Sequence, residues 1–224
     1  MKLQTIKPGY FNNHYTDAKR DEYDQQNQEL IEKQMSVDTV LIGDSITEWL
    51  PSKMLPSTLK IVNRGIAGDE TIYMSKRFAA DVLQLTPSQV VILGGVNDIN
   101  FWFSEMSNQS LTMDELLQQT TTNILTMADD SIKQGIKTWV ATVLPVNSQM
   151  RNVDLRVNQL IQQLNIKIKD QSGEVGYGVL DYYSNFLADN KINLCATLTT
   201  DGLHLNKLGY QKMSELLQRQ IFNQ

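Results

Sequence analysis

Two hydrophobic periods alternate along the chain. Short apolar runs of strand type occupy 37–43 (VDTVLIG), 59–65 (LKIVNRG), 88–98 (SQVVILGGVND), 136–145 (IKTWVATVLP) and 177–183 (YGVLDYY). Each is brief and carries β-branched or aromatic residues, which favours strand over buried helix. Between them apolar residues recur at helical spacing. Over 112–133 they fall at Met113, Leu116, Leu117, Ile124, Met127, Ala128 and Ile132, and over 151–170 at Val153, Val157, Leu160, Ile161, Leu164 and Ile168. Leu208, Met213, Leu216, Leu217 and Ile221 predict a last amphipathic helix, and 69–85 a further one stopped at Thr86-Pro87. The stretch 16–35 lacks Gly and Pro and is dominated by polar helix formers, so it reads as a mostly exposed helix.

Apolar strands separated by helices imply an α/β fold, a parallel sheet covered on both faces in three α/β/α layers. No internal repeat, low-complexity tract or linker interrupts the 224 residues. The expectation is one domain over 1–224, with 1–36 as a helical extension packed on it. In such sheets ligands bind beyond the carboxyl ends of the strands, which directs attention there.

Composition removes several function classes. A net charge of −5, a pI near 5.1 and no basic cluster interleaved with aromatics argue against nucleic acid as a partner. The N-terminus, MKLQTIKPGYFNNHY, has no apolar core of the signal-peptide kind. No apolar run approaches the roughly 18 residues that span a bilayer. A cytoplasmic protein without stable membrane insertion is therefore expected. The single cysteine, Cys195, excludes an internal disulfide. No metal-ligand cluster is visible, and neither a metal nor an organic cofactor is expected. Homo-oligomerisation stays open.

The unusual residues sit at the strand ends. Ser45, in VLIGDSIT, follows the first strand, where Gly-Asp-Ser serves equally as a turn with an N-cap serine. A serine hydroxyl becomes a useful nucleophile only beside a base. The chain offers two histidines. His14 lies in the polar segment FNNHY and reads as a surface residue. His204 lies in TTDGLHLNKLGY, three residues after Asp201. An Asp–His pair so spaced can bond through the carboxylate and Nδ1–H, leaving Nε2 free to face a serine, although a surface Asx-turn would use the same residues. Acyl transfer also needs donors for the charge developing on the carbonyl oxygen. Gly65 and Gly68 in NRGIAGD and Asn97 in GGVND could supply them or could merely form turns.

Three further features have competing readings. Asp44 could be a second acid, but its short carboxylate suits bracing the nucleophile turn through backbone N–H groups. A nucleophilic Cys195 lacks any orienting partner, and an inert small hydrophobe is the favoured reading. In 99–113, INFWFSEMSNQSLTM, core packing under a loop competes with a surface role: consecutive aromatics cannot all face one core, so Phe101, Trp102 and Phe103 could instead wall an acyl or alcohol pocket beside Asn97 or lie at an interface.

Together the blocks GDSIT, NRGIAGD, GGVND and DGLHLNKLGY, in this order over residues 40–215, resemble those of the SGNH hydrolases, also called GDSL-type esterases and lipases. The block spacing is most similar to the branch of platelet-activating-factor acetylhydrolases and lysophospholipases. Ile46 stands where the GDSL name has leucine, an apolar exchange. The resemblance implies a flavodoxin-like, five-stranded parallel sheet of order 2-1-3-4-5. It implies Ser45 as nucleophile, His204 as general base and acid, and Asp201 as its orienting residue. It also implies an oxyanion hole formed by the Ser45 N–H, the Gly65 N–H and the Asn97 side chain; Phe101 and Trp102 are substrate-binding candidates from the aromatic stretch alone. The expected activity is hydrolysis of small acyl esters. Deacetylation of saccharides, lysophospholipase or thioesterase action, acyl transfer and a non-catalytic lipid-binding role are the rivals.

Overall fold

The computed structural model describes residues 5–11, 14–104, 107 and 110–222, the side chain of His14 excepted. In chain order its main elements are α1 (His14–Glu32), β1 (Thr39–Gly43), α2 (Ser45–Glu48), β2 (Ile61–Gly65), α3 (Thr71–Asp81), β3 (Gln89–Leu93), α4 (Val96–Trp102), α5 (Met113–Lys133), β4 (Lys137–Ala141), α6 (Ser148–Arg151), α7 (Arg156–Val175), β5 (Gly178–Leu180), α8 (Tyr182–Phe186) and α9 (Lys207–Leu217). The five strands form one parallel sheet in the order β2-β1-β3-β4-β5, the flavodoxin-like order expected.

Register places the chemistry. Gly43 at the end of β1 pairs with Gly65 of β2 on one side and Leu93 of β3 on the other. Three strands thus stop at one level, and the residues that follow each converge on the same edge. Beneath them β1 is buried along its whole length, and Val40, Ile42, Val90, Ile92 and Leu180 are wholly enclosed. Burial of such side chains contributes about 1.5–3 kcal/mol apiece, so the strand ends rest on a rigid floor.

Helix starts follow local chemistry. Thr112 Oγ1 accepts the Glu115 N–H at 3.3 Å, and Glu115 Oε2 accepts the Thr112 N–H at 2.8 Å, a capping box that opens α5. Asn206 accepts the Leu208 and Gly209 N–H groups and opens α9.

Several boundaries differ from the sequence pattern. The run 88–98 remains a strand only to Leu93, because Gly94 and Gly95 turn the chain into α4. Residues 136–145 are strand only to Ala141. The last strand shortens to Gly178–Leu180, since the Asp181 side chain caps α8 through the Ser184 N–H. The helix read over 151–170 is shifted to Arg156–Val175 behind the short α6, and that over 69–85 ends at Asp81 before a 3₁₀ turn. The largest correction concerns α1. It was expected to be mostly exposed, yet Thr16, Arg20, Tyr23, Asp24 and Asn27 form a buried stripe along it. The stripe is polar, and two of its members hydrogen-bond to the domain: Tyr23 Oη donates to Gly65 O at 2.6 Å and Asn27 Nδ2 to Ala80 O at 3.0 Å, while the Arg20 guanidinium lies over the Phe11 ring at 3.8 Å.

Candidate active site

Ser45 is the first residue of α2 and is only 4% exposed. Its position follows from Asp44, whose Oδ1 accepts the Ile46 N–H at 2.9 Å and so caps the helix immediately after β1. This is the bracing role the sequence favoured. Burial pushes the Asp44 carboxyl up to about 7, against the pull of the Ile46 N–H and with help from the charges of Asp69 and Asp98.

His204 arrives from the loop ahead of α9. A bridge between Thr199 and Leu205 closes that loop, and the His204 carbonyl accepts from Thr199 Oγ1 at 2.7 Å and Thr200 N at 2.9 Å. Asp201 Oδ1 accepts the Leu203 and His204 N–H groups at 2.9 and 2.8 Å, while Oδ2 lies 2.7 Å from His204 Nδ1. An ionised carboxylate only accepts, so Nδ1 carries a proton, and in the neutral imidazole the lone pair is on Nε2. His204 Nε2 is 3.2 Å from Ser45 Oγ. Burial alone would raise the Asp201 carboxyl, but the backbone N–H groups and the imidazole overcome it and bring it down to about 2. The carboxylate is therefore charged throughout the neutral range. The Trp49 ring packs on His204 with centroids 4.5 Å apart, and Arg151 Nη1 stands 3.5 Å from Asp201 Oδ2.

The glycine assignment needs correction. The Gly65 N–H donates to Asn63 Oδ1 at 2.9 Å, and Gly65 O accepts from Tyr23, so both its backbone groups are engaged. Gly65 serves close approach instead: a Cβ there would lie 2.1 Å from Glu48 N. The open donor is three residues on. Asp69 N bonds to Ile66 O at 3.1 Å, closing a turn in which Gly68 takes φ +83°, the third-position geometry of a type II turn. Gly68 is exposed, and no acceptor among the described residues takes its N–H. Asn97 Nδ2 bonds to Asp69 O at 3.0 Å, which brings the amide against this turn and leaves its second N–H available. The Ser45 N–H, at the first helical position, has no intrahelical acceptor either.

A buried arginine holds these parts in register. Arg77 of α3, fully enclosed, donates from Nε to Asp69 Oδ2 (2.7 Å), from Nη1 to Arg64 O (2.7 Å) and Asp81 Oδ2 (2.7 Å), and from Nη2 to Gly43 O (3.0 Å). One side chain thus joins the ends of β1 and β2 to the turn carrying Gly68. Sequence reading missed it, as it missed Trp49 and Arg151. Its one signal was a charge among the apolar positions of the helix, beside Met74 and Phe78.

The remaining candidates separate. Phe101, 44% exposed, and Trp102 line a cavity of about 140 Å³ with Glu70, Asp98 and Leu116. Burial and the neighbouring Asp98 and Asp69 push the Glu70 carboxyl up to about 7. A larger groove of about 830 Å³ runs between α1, β2 and α2 as far as Trp49, and neither Ser45 nor His204 lines it. Cys195 is half-buried with Sγ 3.2 Å from Thr197 Oγ1 and faces no base. The His14 side chain lies outside the described residues. Among the described residues no group of three or more His, Cys, Asp or Glu could hold a metal ion, and no helix is long and apolar enough to cross a membrane.

Comparison with known proteins bears on the family and the fold. Residues 41–212 match the family described as GDSL-like Lipase/Acylhydrolase. Among solved structures, a GDSL-like lipase from Bacteroides thetaiotaomicron VPI-5482 is 27% identical with a TM-score of 0.75, the match covering 91% of this chain and 97% of that one. A protein from Bacteroides fragilis NCTC 9343 is 28% identical with the same TM-score, over 91% and 95% of the two chains. An acetylxylan esterase from Geobacillus stearothermophilus shares the fold at 18% identity and a TM-score of 0.65, over 82% and 94%. No curated protein gives a significant match.

Proposed function

The chain belongs to the GDSL-like lipase/acylhydrolase family, and from that premise we propose that it is a serine esterase cleaving small acyl esters through Ser45, His204 and Asp201. The observation that carries this reading is the continuous relay from Ser45 Oγ to His204 Nε2 (3.2 Å) and from His204 Nδ1 to Asp201 (2.7 Å), beside unengaged N–H donors.

In this reading the ester carbonyl lies over Ser45 with its oxygen among the Ser45 N–H, the Gly68 N–H and Asn97 Nδ2. Ser45 Oγ attacks as His204 Nε2 takes its proton. The imidazolium, stabilised by Asp201, returns that proton to the leaving alcohol oxygen and the C–O bond breaks. Water then attacks the acyl-enzyme, again losing its proton to Nε2, and the acid leaves as Ser45 recovers its hydrogen. Each donor matters because it meets charge that exists only in the transition state.

A second reading is deacetylation of O-acetylated saccharides. It is favoured by Trp49, a residue 47% exposed whose ring packs on His204 and offers an apolar face of the kind a sugar ring stacks on, and by the fold shared with the acetylxylan esterase.

Labelling by a fluorophosphonate, with turnover of p-nitrophenyl acetate, tests the main reading. Wild type is expected to be labelled and Ser45→Ala to show neither labelling nor turnover above background. Ser45→Ala turning over ester at the wild-type rate would overturn it. Acetylated xylo-oligosaccharides, compared with a chain-length series of p-nitrophenyl esters, separate the two substrates.

A further inference from the structure

Glu48, the last residue of α2, is where the nucleophile's helix, the Ile66–Asp69 turn and α1 meet. Its Oε2 accepts the Ala67 N–H at 2.6 Å, within the turn that presents Gly68. The Tyr15 hydroxyl lies 2.9 Å from Oε1 and 3.1 Å from Oε2, and Lys19 Nζ is 3.6 Å from Oε1. Tyr15 and Lys19 both belong to α1, which precedes the residues matching the family, 41–212. The Glu48 side chain is only 11% exposed.

The start of the turn is already fixed without Glu48. Ile66 N bonds to Gly43 O at 2.9 Å, and Asn63 bridges Gly65 N (2.9 Å) and Thr47 O (2.6 Å). Beyond Ile66 the chain enters the two central residues of the turn, Ala67 and Gly68. Among the described residues the Ala67 N–H is held by Glu48, and the Gly68 N–H has no acceptor. The Gly68 N–H lies in the Ala67–Gly68 peptide plane, whose orientation is set from the preceding Ile66–Ala67 plane, the one Glu48 holds, through the Ala67 dihedrals. A carboxylate accepting from the Ile66–Ala67 plane makes a charge-assisted bond, roughly twice as strong as a neutral one. The Lys19–Glu48 pair is long, at 3.6 Å, and its Lys19 end is partly solvated, so by itself it is worth little, and the anchoring bond and not the ion pair is the device.

We propose that Glu48 is a positioning residue that sets the Gly68 N–H for the developing oxyanion, and that α1 contributes to catalysis by holding Glu48 through Tyr15 and Lys19. This rests on the serine-esterase reading above. The substrate carbonyl gains nothing from Glu48 in the ground state. The effect belongs to kcat and to analogues that carry a tetrahedral oxyanion.

The test uses the full chain with Glu48→Ala, Glu48→Gln and the double variant Tyr15→Phe/Lys19→Met. The readouts are kcat and KM for p-nitrophenyl acetate and inhibition by an alkyl trifluoromethyl ketone, whose adduct places an oxyanion in the hole. Glu48→Ala is expected to lower kcat about 10-fold or more and to weaken the ketone by a similar factor, below the ~10²–10³ of losing a donor outright. KM should change by less than about 2-fold, since uniform binding is untouched. Glu48→Gln keeps an acceptor oxygen and should rescue kcat to within about 3-fold of wild type. The double variant, remote from the reacting atoms, should show a smaller loss of the same kind. If Glu48→Ala does not fold, the double variant decides alone. Unchanged ketone affinity in whichever variant decides overturns the proposal. Activity surviving in Ser45→Ala would instead overturn the underlying esterase reading.

Discussion

Gly65 and Gly68 lie three residues apart, and the structure gives them opposite roles that alanine can separate. At Gly65 an added Cβ would sit 2.1 Å from Glu48 N and 2.6 Å from Glu48 Cα. Both are backbone atoms of the helix that begins with Ser45, so no side-chain rotation relieves the overlap. Protein interiors leave no slack for it, and α2 must withdraw by about 1 Å. A displacement of that size at a reacting group costs on the order of 10²-fold in rate, while overpacking costs about 1–3 kcal/mol of stability. At Gly68 the added Cβ meets nothing within 4 Å, but φ is +83°. The left-handed backbone costs an L-residue roughly 1–2 kcal/mol, which lowers the Tm of a domain this size by roughly 2–8 °C. The N–H stays on the same atom. Gly68→Ala is therefore expected to lose stability and keep most of its turnover, whereas Gly65→Ala loses turnover out of proportion to its stability. The assay is kcat for p-nitrophenyl acetate normalised by fluorophosphonate titration, with thermal unfolding on the same samples. Gly65→Ala retaining turnover within about 3-fold of wild type, against the ~10² expected, would refute the close-approach reasoning.

Other consequences are as direct. Asn97→Ala removes one oxyanion donor and should lower kcat by ~10²–10³. Loss of its bond to Asp69 O costs only about 1 kcal/mol, so a folded protein with turnover within a few-fold of wild type would show that Asn97 is a turn residue only. Asp44 supplies a pH effect. Its buried carboxyl titrates near 7 in the folded chain and near the ordinary ~3.9 unfolded, so the folded state holds the extra proton between those values. Stability from this group is greatest below pH ~4 and falls as pH rises to about 7, by at most about 4 kcal/mol. Asp44→Asn keeps an acceptor for the Ile46 N–H and removes the titration. Urea unfolding at pH 4.5 and 7.5 should show the wild type losing more stability than the variant over that interval, and equal losses would contradict the burial argument.

What was legible in the sequence follows from which forces leave a period. The sheet and its layers were, because core burial imposes apolar runs on strands and a 3.6-residue repeat on α5 and α7. Candidate residues at the strand ends were legible because rare residue types, two histidines in 224 residues, left few pairings to consider. What escaped was held by polar contacts. The buried face of α1 repeats at Thr16, Arg20, Tyr23, Asp24 and Asn27, a helical spacing that hydrophobicity does not register. Arg77 escaped for the same reason, since its value lies in acceptors supplied by Gly43, Arg64, Asp69 and Asp81 across four stretches of chain. The confusion of Gly65 with Gly68 has a different origin. Both glycines are demanded by the backbone, one for want of space and one for its dihedral, and only the hydrogen bond from Gly65 to Asn63 decides which N–H remains free. That bond depends on Asn63, a side chain facing the neighbouring α2 rather than the core. A site of this kind is therefore specified in sequence by residue types at strand ends, while the assignment of its backbone donors depends on polar neighbours that no periodicity marks.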